Sequence, residues 1–455
     1  MKRTQLTVYK EKVLLVGVIS PPRETVPPGG GINHLHRPPV HFPAGARRER
    51  KTEEDYLEEL SLLTRTAGAT VVEQVVQHKN YPDPAYYIGL GKAEEIAQLA
   101  KELDIDAIIF DNNLSPAQVS NLEKLCNTKV IDRTELILDI FATHARTKQA
   151  KLQIELAQQE YTLPRLKHLW SHLSRIEGGI GQRGPGEKQL EIDRRIARDR
   201  IVRLKRELTE INERRQREVA TRSGNFTAAL VGYTNAGKST LMNTLTGSAV
   251  YVDDKLFSTL DTKTQVWTLL NRQKVLLSDT VGFIKNLPHY LVSSFHATLE
   301  EVTRADLLLH IVDAGQPADK VGLFIESVNR VLSELGCLDK PTLLIFNKID
   351  RADPLELAIL QKQYAGVIQI SALKKSGLAE LEKKVSEFLQ ERQLELNLVI
   401  PVENGKLLAY LAERGEILQQ DYEDNLVKIK VRLGPRDAAK VLEHTTDPAK
   451  AGQIK

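Results

Sequence analysis

Residues 227–245 constrain this chain more than any other stretch. They read "TAALVGYTNAGKSTLMNTL": an apolar run of strand character, Gly232, four residues, Gly237, Lys238 and Ser239, then a helical pattern. Glycines at those points let successive backbone N–H groups turn inward around a phosphate. Lysine reaches the outer phosphates, serine offers a hydroxyl to a metal ion, and the helix start adds its positive dipole end. A strand, a glycine loop and a helix in this order call for an α/β domain around a parallel sheet. Gly232, Tyr233, Thr234, Asn235, Ala236, Gly237, Lys238 and Ser239 are the expected phosphate loop.

Three later segments select the nucleotide. "TLLIFNKID" closes an apolar strand on Asn347, Lys348, Ile349 and Asp350. A carboxylate at Asp350 can accept from both N1 and N2 of guanine, a donor pair that adenine lacks, and a polar edge of this kind discriminates strongly. "SALKKSG" supplies Ser371, Ala372 and Leu373, with the Ala372 N–H expected on guanine O6. "VLLSDTVGF" places Asp279, Thr280, Val281 and Gly282 where a magnesium-linked carboxylate and a γ-phosphate-sensing N–H are needed, and "DDKLFSTLDTKTQ" supplies Phe257, Ser258, Thr259, Leu260 and Asp261 as a switch segment. Ser239 and Thr259 are the expected Mg2+ ligands, with Thr262 and Thr264 as alternatives to Thr259. GTP is the expected substrate. Phe283 stands where many GTPases carry a water-orienting glutamine, and a phenyl ring cannot hydrogen-bond water. No catalytic residue beyond the charge of Lys238 is assigned. Phe283 either packs into an apolar contact or points away from the phosphate.

The chain is long enough for several domains. Its 455 residues carry 63 Lys and Arg against 60 Asp and Glu, a formal charge of +3, so a nucleic-acid partner must be argued from local clustering. Two cysteines, Cys126 and Cys337, make neither a disulfide framework nor a metal set. "MKRTQLTVYKEK" leads into the short apolar "VLLVGV" rather than a secretory core, and no run reaches a membrane span. A cytoplasmic location and no stable membrane insertion are expected; an organelle stroma also fits.

Four blocks follow from composition. Residues 1–145 read as an N-terminal parallel α/β domain, interrupted over about 20–52 by a Pro- and Gly-rich insert. His34, His36 and His41 in that insert lack partners at ligand spacing, so a solvated loop is preferred to a metal site. "YYIGLGK" echoes a dinucleotide fingerprint but lacks the third glycine, and a tight turn into a helix accounts for Gly89 and Gly91. Residues 146–222 carry two seams of coiled-coil spacing, Ala150, Ile154, Ala157 and Tyr161, then Ala197, Ile201, Leu204, Leu208 and Ile211, which suits an antiparallel helical hairpin. Its tip, "LPRLKHLWSHLSRIEGGIGQRGPGEKQ", gathers Arg165, Lys167, Trp170, Arg175, Arg183 and Lys188. Cations with an interleaved aromatic suit RNA, while Leu166, Trp170 and Leu173 could equally cap the hairpin. The nucleotide-binding domain occupies 223–392, and a small α/β domain fills 393–455.

Taken together, "YIGLGKAEEI", "LSPAQ", "VIDRTELILDIF", "KLQIELAQQEYTLPRL", "GGIGQRGPGEKQLEIDRR", "LFSTLD" and "DTVGFIKNLP" resemble the HflX family of translational GTPases from about Leu57 to Asp350 and beyond. Lys188 and Ile192 stand where the family pattern has threonines, and Thr262 where it has proline. The resemblance implies a multidomain α/β protein with a Ras-like P-loop domain. It further implies a monomer that binds the large ribosomal subunit rather than DNA, points the hairpin loop at ribosomal RNA near the peptidyl-transferase region, and separates stalled or idle ribosomes into subunits. That favours the RNA reading of the tip. The rival reading is a GTP-dependent RNA-binding or assembly switch in which binding rather than turnover does the work.

Overall fold

The computed structural model describes residues 11–19, 53–166, 185–220, 226–248, 256–257, 262–271, 273–285, 296–391, 393–423 and 425–444. The insert and the residues 167–184 of the hairpin tip lie outside them. The chain packs as two compact units.

In the first unit, β1 (Lys12–Ile19), β2 (Thr70–His78), β3 (Ala107–Phe110) and β4 (Lys129–Asp132) form a sheet of order β2-β1-β3-β4. Every pairing is parallel. Parallel neighbours require crossovers, which α1 (Glu53–Thr66), α2 (Leu90–Glu102) and α3 (Pro116–Cys126) provide. β1 is central and buried along Val13–Val18, as an unbroken apolar run demands of a strand covered on both faces. Local signals set the helix starts: Ser115 and Gln118 close a reciprocal capping box around Pro116, and Asp132 caps α4 (Arg133–His144).

Asp132 also organises this unit's polar core. Fully buried, it accepts from the N–H groups of Leu114 and Glu135, from the Tyr161 hydroxyl at 2.8 Å and from the Arg165 guanidinium at 3.1 Å. Burial and this carboxylate push the Tyr161 phenol well above its usual range. Arg165 also donates to the carbonyls of Leu114 and Tyr161 and lies 3.4 Å over the Tyr161 ring. This corrects the expectation for Arg165. Its Nη1 and Nη2 donors are engaged inside the unit, so it is not one of the tip cations free to meet RNA.

Next, α5 (Lys148–Thr162) meets α6 (Pro185–Ala220) through Leu152 and Leu156 against Leu204 and Leu208, flanked by Ile201 and Ile211. The second seam is the expected one. The first is not: Ala150, Ile154, Ala157 and Tyr161 are buried, yet Leu152 and Leu156 face α6, so α5 buries two stripes rather than one. Arg200 with Glu155 and Lys205 with Glu160 tie the helices at the rim.

The second unit holds a six-stranded sheet of order β10-β9-β8-β5-β7-β6, built from β5 (Phe226–Gly232), β6 (Lys263–Thr268), β7 (Lys274–Asp279), β8 (Leu307–Asp313), β9 (Thr342–Asn347) and β10 (Ile368–Gln369). Only the β6–β7 pairing is antiparallel. Its helices are α7 (Lys238–Thr246), α8 (His296–Arg304), α9 (Ala318–Glu334), α10 (Pro354–Gln363) and α11 (Leu378–Glu391).

The C-terminal part adds β11 (Leu394–Pro401), β12 (Glu416–Glu423) and β13 (Leu426–Leu433) in an antiparallel sheet of order β11-β13-β12. Here burial alternates along β11 and β13, the sign of a sheet covered on one face only. Leu411 of α12 (Gly405–Arg414) and Ala438 and Val441 of α13 (Pro435–His444) belong to the core of that covered face. No helix among the described residues is long and apolar enough to cross a membrane.

Asp132→Ala strips the buried partner from Arg165, Tyr161 and two backbone donors at once. The expected loss is about 3 kcal/mol or more in the first unit's stability, read by chemical denaturation. Wild-type stability in this variant would show that the cluster contributes nothing.

Candidate nucleotide-binding site

β5 ends on Gly232, directly beside Ile311 of β8. A Cβ at Gly232 would fall 2.2 Å from the Ile311 carbonyl oxygen, so the strand pairing itself demands glycine there. The chain then loops through Asn235 (φ +59°) and Gly237 (φ +90°) into α7. A Cβ at Gly237 would meet Asn347 Nδ2 at 2.3 Å, a second steric reason for glycine. α7 begins without a side-chain cap, whereas α3, α4, α5 and α10 are capped by Ser115, Asp132, Thr147 and Asp353. α2 and α9 likewise start without a side-chain cap, so it is the adjoining glycine loop and Lys238 that suit the start of α7 to an anion.

Lys238 is buried, its ammonium donating to the carbonyls of Gly232 (3.1 Å) and Tyr233 (2.9 Å). Burial pushes its pKa down to about 8; Lys348 adds to this and Asp279 opposes it. Ser239 Oγ donates to the Asp279 carboxylate at 2.5 Å, and Asp279 is fully buried at the end of β7. A hydroxyl beside a carboxylate is the oxygen-only donor chemistry that magnesium takes. Thr280 is fixed by donating to the Leu230 carbonyl. Thr234 Oγ1 is buried with no hydrogen-bond partner among the described residues, a polar atom on the phosphate loop that a ligand oxygen could satisfy.

Phe283 is withdrawn from solvent. Only 2% exposed, its side chain is buried. Its backbone bridges to the phosphate loop: Thr234 N–H donates to the Phe283 carbonyl (2.8 Å) and Phe283 N–H to the Gly232 carbonyl (3.1 Å). No part of that ring can orient water.

The segments expected to bind the base meet at Asn347. Its Nδ2 donates to the Ala236 carbonyl (2.9 Å), and its Oδ1 accepts from the Ala372 N–H (3.0 Å), so the N–H expected on guanine O6 is engaged with Asn347. Lys348, at φ +61°, reaches Asp313 (2.9 Å) and Asn235 (3.5 Å). Asp350 accepts from the Ser371 hydroxyl at 2.5 Å, which holds its carboxyl below the usual range. Ile349 N–H donates to the Ile370 carbonyl, and Leu373 is exposed.

Other expected residues fall elsewhere. Thr264, an alternative to Thr259, lies in β6 with its hydroxyl 2.9 Å from that of Ser278. Ser258, Thr259, Leu260 and Asp261 lie outside the described residues, as do Lys167, Trp170, Arg175 and Arg183; of Lys188 only its place in α6 is described. In the first unit, Gly89 has φ −68° and a Cβ at Gly91 would touch no protein atom within 4 Å, so the fold itself demands glycine at neither position.

Two contributors, and the contacts of a third residue, escaped sequence reasoning. Asp313, which holds Lys348, ends the apolar run "LLLHIVD" as Asp279 ends its own, and that likeness was a usable signal. His310 in the same run is buried, with Nε2 unpartnered among the described residues and a pKa pushed down to about 4 by burial and Lys238. Tyr233 accepts from the Lys285 N–H (2.8 Å) and stacks on Phe324 at 4.2 Å, which nothing in the sequence announced.

Known proteins carry the same parts in the same order. A family profile described as "GTP-binding GTPase N-terminal" matches residues 54–142, one described as "GTP-binding GTPase Middle Region" matches 144–222, and one described as "50S ribosome-binding GTPase" matches 227–348. The GTPase HflX of Lacrimispora saccharolytica is 43% identical over 373 residues, 81% of this chain and 87% of that protein. The chain belongs to the HflX family of GTPases. The HflX of Escherichia coli K12 is 41% identical over 83% of this chain and 89% of its own length. A solved GTP-binding protein from Sulfolobus solfataricus, in complex with GDP, is 25% identical over 83% of this chain and 98% of its own, with a TM-score of 0.40. The chain is thus a P-loop GTPase of a ribosome-associated family, and the multidomain α/β architecture is the one expected.

The low pKa of Lys238 fixes a pH dependence. Below about pH 8 the ammonium is charged before and after a phosphate binds; above it the site must take up a proton to bind. Guanine-nucleotide Kd should be flat from pH 7 to 8 and then rise, by up to about tenfold per pH unit, toward pH 9. A flat profile in fluorescence titrations would refute the shift.

Proposed function

We propose that this protein binds GTP with Mg2+ at the site centred on Asn347 and Lys238, hydrolyses it to GDP and phosphate when stimulated by the large ribosomal subunit, and splits or rescues stalled or idle ribosomes. The observation that carries the guanine assignment is the double hydrogen bond of Asn347, which joins the phosphate loop to the Ala372 segment beside Asp350.

In this reading Asp350 accepts from guanine N1 and N2, and Lys348, held by Asp313, lies along the base plane. The uncapped start of α7 and Lys238 hold the β- and γ-phosphates. Ser239 and Thr259 hold magnesium, with Asp279 acting through a water; the ion neutralises phosphate charge. Gly282 offers its N–H to the γ-phosphate. The buried Phe283 leaves the attacking water without a side chain at that position, which supports slow turnover by the isolated protein. The basic tip, with Lys167, Trp170, Arg175, Arg183 and Lys188, is directed at ribosomal RNA. The protein acts as a cytoplasmic monomer.

The same Phe283 burial supports a second reading, in which GTP binding does the work and hydrolysis only resets the protein. Ribosome dissociation followed by light scattering, with GTP and with a non-hydrolysable analogue, separates the two. Equal splitting with both nucleotides favours binding.

Two outcomes test the main reading. Asp350→Asn should weaken GTP binding by about a hundredfold or more while favouring xanthosine triphosphate, whose C2 carbonyl suits an amide donor. GTP turnover should rise strongly on adding large subunits, and less so in Arg183→Ala. Fast turnover that ignores ribosomes would remove them as activator.

A further inference from the structure

The segment between α7 and β6 is, in the reading above, a switch that brings Thr259 to the nucleotide. Its described residues, Leu256 and Phe257, pack instead with the first unit. Leu256 N–H donates to Thr66 Oγ1 at 3.3 Å, and the Thr66 hydroxyl in turn donates to the Leu62 carbonyl, which leaves its lone pair for Leu256. The Phe257 ring meets Phe141 of α4 edge to face, with centroids 4.6 Å apart and planes at 75°. Leu256, Phe257 and Phe141 are 6%, 3% and 1% exposed, as in a formed core rather than a passing loop contact.

Phe257 also has a φ of +57°. A bulky aromatic residue rarely adopts the left-handed region and keeps it only where the surroundings over-determine it. Here those surroundings are the first unit.

A second contact lies at the phosphate loop. In the same structure Gly282 lies on the phosphate loop: a Cβ there would stand 2.8 Å from Thr234 Cα and 3.1 Å from Lys238 Nζ. The two backbone hydrogen bonds between Phe283 and the phosphate loop hold it there. The residue meant to sense a γ-phosphate thus packs directly against the phosphate loop and its lysine.

We propose that Thr66 and Phe141 form a docking site for this chain's own Leu256–Phe257 segment, and that docking stabilises the γ-phosphate-free state. GTP, but not GDP, must then release the segment, and the N-terminal unit sets the preference between the two nucleotides. By linkage, whatever occupies the Thr66 and Phe141 face in its place favours GTP to the same extent. This inference rests on the GTP reading of the site.

The test compares affinities of the full-length protein for fluorescent GDP and for a fluorescent non-hydrolysable GTP analogue at fixed Mg2+. Phe257→Ala and Phe141→Ala should each tighten the analogue about three- to tenfold, the range an edge-to-face pair can supply, with GDP nearly unchanged. The double variant should gain no more than the better single one, since both remove one contact. Thr66→Val, at a half-buried rim position, should shift the ratio the same way without touching the core, and guards against misfolding of Phe141→Ala. An unchanged analogue-to-GDP ratio in Phe257→Ala and Thr66→Val overturns the docking proposal. A weakened analogue with unchanged GDP overturns it too, by assigning the docked segment to the GTP state. Failure of the wild-type protein to bind either nucleotide would overturn the GTP reading beneath it.

Discussion

The amide of Asn347 joins what the rest of the nucleotide site depends on. One end donates to the Ala236 carbonyl in the phosphate loop and the other accepts from the Ala372 N–H. Both bonds are buried, where a lost hydrogen bond costs the full desolvation of the group left behind. The side chain can span both because β9 lies beside β8 and β8 beside β5, so the carboxyl ends of parallel strands deliver their loops to one edge of the sheet. Lys348 and Asp313, and Asp350 and Ser371, are then neighbours through sheet register rather than sequence proximity.

The first unit is organised by the same physics with a different polar centre. Asp132 ends a buried strand, caps the following helix and gathers Tyr161 and Arg165 from a helix and turn roughly thirty residues on. Arg133, the next residue, is buried and pairs with Asp111 and Glu59. Each buried charge has its counter-charge at hydrogen-bonding distance, the condition under which such groups are tolerated away from water. Leu256 and Phe257 pack with this unit rather than the one that holds the phosphate loop.

Much of the fold and site was legible because its signals are local. The parallel strands of the first unit showed as apolar runs between helical periods, and the phosphate loop as glycines at fixed spacing after a strand. The α5 seam was misassigned because a helix buried on two sides carries two apolar stripes, and period alone cannot say which one faces which neighbour. Arg165 read as a free cation because nothing adjacent in sequence reveals Asp132. His310, Asp313 and the stacking of Tyr233 on Phe324 were likewise invisible as partners, since each is made by residues dozens of positions apart.

The sequence by itself determined which groups are present and in what order: the phosphate-binding glycines, Lys238, Asp279, the Asn347 to Asp350 run and the phenylalanine in place of glutamine. These follow from backbone sterics and side-chain chemistry at fixed spacing. Tertiary structure alone decided where Phe283 and Phe257 put their rings, which carbonyls hold Lys238 and how far burial lowers its pKa. Those outcomes depend on which distant surfaces exclude water around a group, and desolvation is a property of the packed assembly that no local pattern encodes.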